Sequence, residues 1–265
     1  MEKHFDYRFK KKFGQNFLID ENIIRKIVLS ASILDNSLVI EIGPGSAALT
    51  THLCEKAKHV ICYEIDTELK PILDKTLNDY KNVEVIYEDF LKQDVADKIK
   101  GYSYDNLYVV ANLPYYITTP IINKIIDDKI DVRKIVIMVQ KEVGERFSAV
   151  PGSKSYGSIS VFLKYYFDIK KVMDVSRNVF VPKPNVDSVV IELNRNRASC
   201  KNEDVLFKLI KDAFRFKRKT IKNNLSNYDL VIIESVLKKH NMDLSIRAEE
   251  VSLEVFIDIA QNLEK

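Results

Sequence analysis

The chain has 265 residues, of which 46% are hydrophobic and 30% are charged, and its formal charge of +3 is too small to indicate a nucleic-acid partner by itself. No apolar run approaches the roughly 20 residues of a membrane span, the N-terminus lacks the apolar segment of a signal peptide, and the three cysteines lack zinc-site spacing. These features exclude a membrane protein and a zinc protein. They predict a soluble, cytoplasmic protein without a metal, which we expect to be a monomer.

Short apolar and β-branched runs alternate with helical patterns over the first two thirds of the chain. Seven runs predict strands: LVIEI (38–42), VICYEI (60–65), VEVIY (83–87), LYVVA (107–111), IVIMV (135–139), KVMDV (171–175) and VVIEL (189–193). The first five are nearly continuous in apolar residues, as parallel strands covered on both faces are. The alternation predicts an α/β fold with a doubly wound, mostly parallel seven-stranded sheet, whose last two strands form an antiparallel hairpin at the edge.

The pattern becomes helical after a polar stretch that begins at Asn194. Three amphipathic segments follow it: VLFKLIKDAFRF (205–216), LVIIESVLKKH (230–240) and SLEVFIDIAQNL (252–263). No strand pattern interrupts them. The sequence therefore predicts two domains, an α/β domain at residues 1–198 and a small all-helical domain at residues 199–265.

A glycine turn and three polar residues mark the ends of the predicted strands. EIGPGSAALT (41–50) runs from the first strand into a helix through Gly43, but Ala47 makes its resemblance to GxGxxG incomplete. Glu64, Asp89 and Asn112 come at the ends of the next strands, where open α/β sheets bind ligands. Each residue alone fits a simple cap or turn. Together they predict a site for an adenosine-bearing cofactor.

The segment NLPYYITTPI (112–121) breaks the rules for a strand, so it is either an ordinary loop or a functional site. The Asn112 amide oxygen and the Leu113 carbonyl are two neighbouring acceptors, which suit the two donors of an exocyclic NH₂ group. Pro114 restricts the loop, and Tyr115 offers a face on which a base could stack. This arrangement would make an adenine N6 lone pair more available to an electrophile without a strong base.

Seven motifs, taken in this order, resemble the rRNA adenine N6-dimethyltransferases. They are KKFGQNFL (11–18), EIGPG (41–45), NLPYYITTP (112–120), KEVGERFSAVPGSKSYGSISV (141–161), FVPKPNVDS (180–188), FKRKTIKNNL (216–225) and RAEEVS (247–252). The resemblance covers nearly the whole chain. It implies a Rossmann-like class I methyltransferase fold, with S-adenosyl-L-methionine as the cofactor. The third glycine of the family's GPGxG is Ala47 in this chain, which could alter helix packing against the cofactor.

The resemblance also implies roles for individual residues. The cofactor-binding positions would be Asn16, Leu18, Gly43, Glu64, Asp89 and Asn112. The catalytic positions would be Asn112, Leu113, Tyr115 and Phe180. In this interpretation, Glu64 holds the ribose and Asp89 the cofactor adenine. Tyr115 and Phe180 enclose the flipped target adenine between their rings, and Asn112 contacts both cofactor and target.

The substrate implied by the resemblance is rRNA, and three functions follow from its branches. We favour dimethylation of two adjacent adenines in the 3′-terminal hairpin of small-subunit rRNA, in an immature ribosomal subunit. The alternatives are a large-subunit rRNA adenine methylase that confers macrolide resistance, and a non-catalytic ribosome assembly factor. The NLPY, PGSKSYG and RAEEVS segments favour the first. Because Asn112, Tyr115 and Phe180 are intact, an inactive assembly factor is disfavoured.

Positive charge is clustered in two runs with interleaved Phe, and such clusters suit an RNA phosphate backbone. A solvated charged face is the alternative, but the neighbouring motifs favour RNA. The predicted RNA-binding residues are Arg8, Lys10, Lys11 and Lys12 in the first run, Arg215, Lys217, Arg218, Lys219 and Lys222 in the second, and Arg146 and Lys154 between them. The C-terminal helical domain would then recognise the shape of the RNA.

Overall fold

The computed structural model describes residues 15–114, 116–196 and 198–263, which form two compact units. The sheet unit runs through Lys141 and takes in Lys170–Asn194. The helical unit consists of Glu142–Ile169 together with the residues from Arg195 onward. Among the described residues, no helix is both long and apolar enough to span a bilayer.

The sheet has seven strands, as predicted, in the order β4-β3-β2-β5-β6-β9-β7. The strands of the described residues are β1 (Phe17–Leu18), β2 (Ser37–Ile42), β3 (His59–Tyr63), β4 (Val83–Ile86), β5 (Asn106–Asn112), β6 (Lys134–Gln140), β7 (Phe167–Val175), β8 (Phe180–Val181) and β9 (Ser188–Arg195). The pairs β4-β3, β3-β2, β2-β5 and β5-β6 are parallel, and β9 is antiparallel to β6. The predicted fold class is confirmed.

Two strands were not predicted. β1 and β8 pair with each other in a separate antiparallel ribbon, in which Phe17 lies opposite Val181 and Leu18 opposite Phe180. Each strand has only two residues, too few for an alternating pattern to show in the sequence. The ribbon brings the segment before the first helix next to the segment before β9.

The helices carry apolar positions that recur on one face, and this face packs in the core of the unit to which the helix belongs. They are α1 (Glu21–Ala31), α2 (Ala48–Cys54), α3 (Lys70–Leu77), α4 (Val95–Lys98), α5 (Thr118–Asp127), α6 (Lys141–Phe147), α7 (Ser158–Tyr166), α8 (Glu203–Ala213), α9 (Ile221–Asn224), α10 (Leu230–Lys239) and α11 (Leu253–Leu263). Helix α1 illustrates how such a helix begins and which face it buries. The Asp20 side chain caps α1 by accepting from the backbone N–H groups of Asn22 and Ile23. Ile24, Ile27 and other residues at helical spacing then bury one face of α1 in the core.

The parallel register sets the position of the predicted site. Ile42 pairs with Tyr63 at the ends of β2 and β3, and β5 continues on the other side of β2 as far as Asn112. All six residues of β2 are buried, as the continuous apolar run predicts. The residues that follow these strands therefore lie along one edge of the sheet.

The helical unit differs from the predicted C-terminal domain in its boundary. The sequence places all residues up to 198 in the α/β domain, whereas Glu142–Ile169 belongs to the helical unit. The physical reason is packing: Val161 and Tyr165 of α7 lie in one core cluster with residues of α8, α10 and α11, such as Leu209 and Phe256. The sequence reading assumed that each domain is continuous in the chain.

Candidate active site

A cavity of about 270 Å³ lies at the carboxyl ends of the parallel strands of the sheet unit. Among its lining residues are six of the predicted site residues: Asn16, Gly43, Glu64, Asp89, Asn112 and Leu113. They come from segments up to about 100 residues apart in the chain. The structure thus brings together most of the described positions for which the sequence predicts cofactor or target contacts.

The glycine turn gives the cavity an open backbone wall. Gly43 has a φ of +74°, and a Cβ added there would meet no atom within 4 Å, so the backbone is accessible to a ligand. Gly45 has a φ of +58°, and an added Cβ would lie 3.0 Å from the ring of Phe17. Both positions favour glycine because φ is positive, and at Gly45 close packing against Phe17 adds a second reason.

Ala47, which stands where the family usually has a third glycine, also adopts a left-handed conformation, with a φ of 63°. Its methyl group is fully buried in a cluster that includes Phe17 and Leu69. The backbone N–H of Ala47 donates to the Pro44 carbonyl at 2.9 Å, and its carbonyl accepts from Thr51. The turn therefore keeps its shape with alanine at this position.

Glu64 is held in a fixed orientation beside the glycine turn. Its Oε2 accepts from the backbone N–H of Gly45 at 3.2 Å, and its Oε1 accepts from the backbone N–H of Asp66 at 2.8 Å. Burial raises the pKa of Glu64, although the two backbone donors oppose this effect. Each carboxylate oxygen keeps a second lone pair, so Glu64 can still accept from a ligand hydroxyl.

Asp89 also lies in the cavity wall, where it caps a short 3₁₀ turn, Phe90–Lys92. Its Oδ1 accepts from the backbone N–H of Leu91 at 3.0 Å, which fixes the carboxylate. Tyr63 lies in the same wall, and its buried hydroxyl has no hydrogen-bond partner among the described residues. Carboxylates facing an apolar slot suit the hydroxyl and amino groups of an adenosine-type ligand.

Asn112 connects this cavity to a second one of about 30 Å³. The Nδ2 of Asn112 donates to the backbone carbonyl of Asn16 at 3.1 Å. In the part of the chain that the structure describes, no group donates to Oδ1 of Asn112 or to the Leu113 carbonyl. Both acceptors that the sequence assigns to the target amine are therefore available.

The smaller cavity contains Leu18 and a carboxyl group that the sequence analysis left unassigned, that of Glu41. Glu41 is 1% exposed, and the Cys62 thiol donates to its Oε2 at 3.7 Å. Burial, and to a lesser degree the nearby Glu64 charge, raise the pKa of Glu41 to about 8. Glu41 is therefore a second buried acid next to the glycine turn.

The two predicted stacking residues are Tyr115 and Phe180, and Tyr115 lies outside the described residues. Phe180 is 3% exposed and packs in the core of the sheet unit, opposite Leu18 in the β1–β8 ribbon. Phe180 is not among the described residues that line the two cavities. The contact of Phe180 with a target base stays a prediction.

The predicted RNA-binding residues divide into two groups. Arg8, Lys10, Lys11 and Lys12 lie outside the described residues. Arg146, Lys154, Arg215, Lys217, Arg218, Lys219 and Lys222 all lie exposed on the helical unit. The segment that contains Lys154 and the segment that contains Lys219 and Lys222 both contact residues 247–249. Gly152, in the turn before Lys154, donates to the Glu249 carbonyl at 2.7 Å, and Thr220 forms a β-bridge with Arg247.

Sequence reasoning missed several apolar and aromatic residues of the larger cavity. Phe17, Tyr63, Ile65 and Tyr116 all line it, and Tyr116 is 60% exposed there. Tyr63 and Ile65 lie at the end of β3 and just after it, at the same edge of the sheet as the predicted residues. Their position relative to the strand ends could have identified them. No group of three or more potential metal ligands occurs within the described ranges.

The fold and this site define a Rossmann-like methyltransferase, and solved structures agree. A dimethyladenosine transferase from Plasmodium falciparum superposes with a TM-score of 0.77 at 28% identity, covering 92% of this chain and 95% of that one. The 23S rRNA methyltransferase ErmE also superposes with a TM-score of 0.77, at 25% identity, covering 94% of this chain and 100% of that one.

The family model for ribosomal RNA adenine dimethylase matches residues 6–265, and the chain belongs to this family. A ribosomal RNA small subunit methyltransferase A from Macrococcus caseolyticus (strain JCSC5402) is 45% identical over 98% of this chain and 92% of the relative. A relative of the same name from Bacillus pumilus (strain SAFR-032) is 45% identical over 99% of this chain and 94% of the relative. The family resemblance expected from the sequence motifs is confirmed.

Proposed function

We propose that this protein transfers methyl groups from S-adenosyl-L-methionine to N6 of two adjacent adenines in the 3′-terminal hairpin of small-subunit rRNA, giving N6,N6-dimethyladenosines. The observation that carries the proposal is the position of Asn112 and Leu113 in the cavity wall, next to two fixed carboxylates, Glu64 and Asp89. A pair of acceptors for an amine thus adjoins a site suited to an adenosine.

The cofactor site fits a cationic nucleoside. When bound, S-adenosyl-L-methionine supplies an electrophilic methyl group on a positively charged sulfur. Glu64 and Asp89 accept from the hydroxyl and amino groups of the nucleoside, and the open backbone at Gly43 allows close approach. Glu64 and Asp89 line the larger cavity with two carboxyl groups, which favours a ligand with positive charge.

Asn112 and Leu113 position and activate the target amine. The Asn112 Oδ1 and the Leu113 carbonyl accept the two N6–H donors, which draws those bonds out of the plane of the base. The N6 lone pair would then be less delocalised and more available to the electrophilic methyl group that the bound cofactor would supply. Methyl transfer would release one N6 proton to solvent and leave S-adenosylhomocysteine. Positioning and electrostatics carry the catalysis, and a strong base is unnecessary.

The 45% identity to relatives named small subunit methyltransferases supports small-subunit rRNA as the substrate, against 25% to the 23S rRNA methyltransferase. Exposed cations on the helical unit, among them Lys154 and Arg218, support contact with the phosphates of a folded rRNA. The proposed partner is an immature small subunit in the cytoplasm, bound by a monomer.

The test uses purified protein, labelled cofactor, and two substrates: small subunits isolated before methylation, and large-subunit rRNA. Labelled N6,N6-dimethyladenosine should appear only in the small-subunit RNA. Label on large-subunit RNA would favour the macrolide-resistance activity instead. Binding to small subunits without label on either RNA would favour the non-catalytic assembly factor.

A further inference from the structure

The basic segment of the helical unit, Arg215–Lys219, presents one aromatic ring to solvent. Phe216 is 47% exposed, while its neighbour Phe214 packs partly buried against the core of the unit. The Arg215 guanidinium carbon lies 5.3 Å from the centre of the Phe216 ring, and the Lys219 Nζ lies 4.5 Å from it. The ring is therefore accompanied by two cations.

The side chain of Asn224 in α9 bonds the backbone of this segment at several points, in addition to the backbone bond from Lys219 N–H to the Phe216 carbonyl at 2.9 Å. The Nδ2 of Asn224 donates to the carbonyls of Ala213 at 2.7 Å, Phe216 at 3.2 Å and Lys219 at 3.4 Å. Its Oδ1 accepts from the backbone N–H of Phe216 at 3.3 Å. Both backbone polar groups of Phe216 are thus fixed, although its side chain is exposed. Because the backbone that carries the ring is already ordered, little backbone freedom is lost when the ring binds a ligand.

The charges around the ring are not neutralised by the protein. Within the described ranges, Arg215, Lys217, Arg218, Lys219 and Lys222 form no ion pair. Elsewhere on the same unit, exposed lysines do have partners, such as Lys238 with Glu234 at 2.9 Å. Uncompensated cations beside an exposed flat ring match a ligand that carries both phosphates and flat bases. A membrane surface would call for more exposed apolar residues than this one ring.

We propose that Phe216 is a stacking platform for an unpaired base of the RNA, with Arg215 and Lys219 bound to phosphates on either side of that base. The inference rests on the proposed function in that it assumes an RNA substrate. The flexible Lys219 side chain leaves the ring for a phosphate, and the base takes its place on that face. Stacking tolerates any base but requires it to be unpaired, so this site selects single-stranded positions in a folded RNA.

The platform can be tested by binding of the full chain to two RNA probes. One probe is a short single strand with a central 2-aminopurine, and the other is a fully paired duplex of the same length. Phe216→Leu keeps an apolar side chain but removes the ring, whereas Phe216→Tyr keeps the ring. The matched control is Val231→Ala, which shortens another exposed apolar side chain of the helical unit.

We expect Phe216→Leu to weaken single-strand binding by about 5- to 150-fold, the ratio that corresponds to loss of one stacked base. Duplex affinity and the salt dependence should be unchanged, because the phosphate contacts remain. Quenching of 2-aminopurine should persist with Phe216→Tyr and Val231→Ala and fall with Phe216→Leu. The difference between the two Phe216 variants isolates this ring from other aromatic residues.

Three results would overturn the inference: unchanged single-strand affinity of Phe216→Leu, an equal loss for both probes, or equally tight binding of an acidic peptide at the same site. If any of these occurs while the wild-type protein methylates small-subunit RNA, only the platform is wrong. If the wild-type protein neither binds the probes nor methylates that RNA, the proposed function fails together with it.

Discussion

The side-chain amide of Asn112 is joined to the backbone of Asn16, with Nδ2 donating to the carbonyl oxygen at 3.1 Å. These residues are 96 positions apart, at the end of β5 and just before β1. Because Nδ2 is used in this bond, Oδ1 is the end of the amide left to accept from a substrate. The contact thus sets the orientation of the group on which the proposed chemistry depends.

Replacement of Asn112 tests that chemistry. Asn112→Ala removes an acceptor that acts on the amine in the transition state, so we expect kcat to fall by about 100- to 1000-fold, as for other electrostatic groups of this kind. Methyl transfer to small-subunit RNA at saturating cofactor measures the effect. Asn78→Ala, on the exposed surface of the same unit, is the matched control and should leave kcat unchanged. Equal activity of Asn112→Ala and wild type would refute the assigned mechanism.

Much of the fold follows from the sequence, because five of the seven predicted sheet strands are nearly continuous apolar runs bounded by turns. The paired positions Leu18 and Phe180 show where this reasoning fails. The ribbon forms because two segments distant in the chain pair with each other, and no local sequence pattern predicts this pairing. Phe180 is buried in the core of the sheet unit, and its contact with a base stays a prediction. The assignment of α7 to the helical unit could not be predicted either, because it depends on the packing of Val161 and its neighbours against the C-terminal helices.

Within the site, the polar residues were predictable because they follow strands, whereas the buried acid Glu41 was not. Its special property comes from burial beneath the turn, which three-dimensional packing creates. The same holds for the left-handed conformation of Ala47, which the sequence shows only as a departure from a glycine pattern. Position along a strand can be read from sequence, but the environment of a side chain requires the assembled structure.

The raised pKa of Glu41 predicts a pH dependence of stability. In the unfolded chain the carboxyl ionises near its ordinary value of 4.5, and in the folded protein near 8. Between these values the folded protein binds more protons, so its contribution to stability is full below pH 4.5 and is lost as pH rises through 8. Between pH 6 and pH 9 the loss should be roughly 2–3 kcal/mol.

Glu41→Gln removes this titration, and urea unfolding of the cofactor-free protein at pH 6 and pH 9 measures its effect. The free energy of unfolding of the variant, relative to wild type, should rise by that same amount between the two pH values. Glu68→Gln, at an exposed position, serves as the control for the change in charge. A difference between Glu41→Gln and wild type that is independent of pH would show that Glu41 does not titrate in this range.

The left-handed conformation of Ala47 predicts that replacement of Ala47 by glycine changes the free energy of unfolding only slightly. Relief of the left-handed conformation stabilises Ala47→Gly by about 1–2 kcal/mol. Loss of the buried methyl and a more flexible unfolded chain oppose this by about 0.8 and 0.4–1 kcal/mol. The net change in the free energy of unfolding should lie within about 1 kcal/mol of zero. Ala47→Val should destabilise by more than about 2 kcal/mol, because a branched residue fits neither the φ of 63° nor the packed site. Equal losses for both variants would contradict this explanation.

The contacts of Asn224 predict that its replacement weakens RNA binding and leaves cofactor binding unchanged. Asn224→Ala frees the backbone of the Arg215–Lys219 segment, whose ordering costs about 1–2 kcal/mol per residue fixed. RNA affinity should therefore fall by roughly 5- to 30-fold for each residue that must be ordered again on binding. Cofactor affinity, measured by calorimetry, should be unchanged. Asn223→Ala, one position away and exposed, is the matched control. A parallel loss of cofactor affinity would indicate general unfolding instead.

Mass mapping of rRNA from cells with and without this protein tests the central claim most directly. The account predicts two adjacent dimethylated adenines near the 3′ end of small-subunit rRNA in cells that have the protein. Both should be unmodified in cells that lack it and should return with the wild-type gene but not with Asn112→Ala. An unchanged small-subunit RNA, with methyl groups gained or lost only on large-subunit RNA, would contradict it.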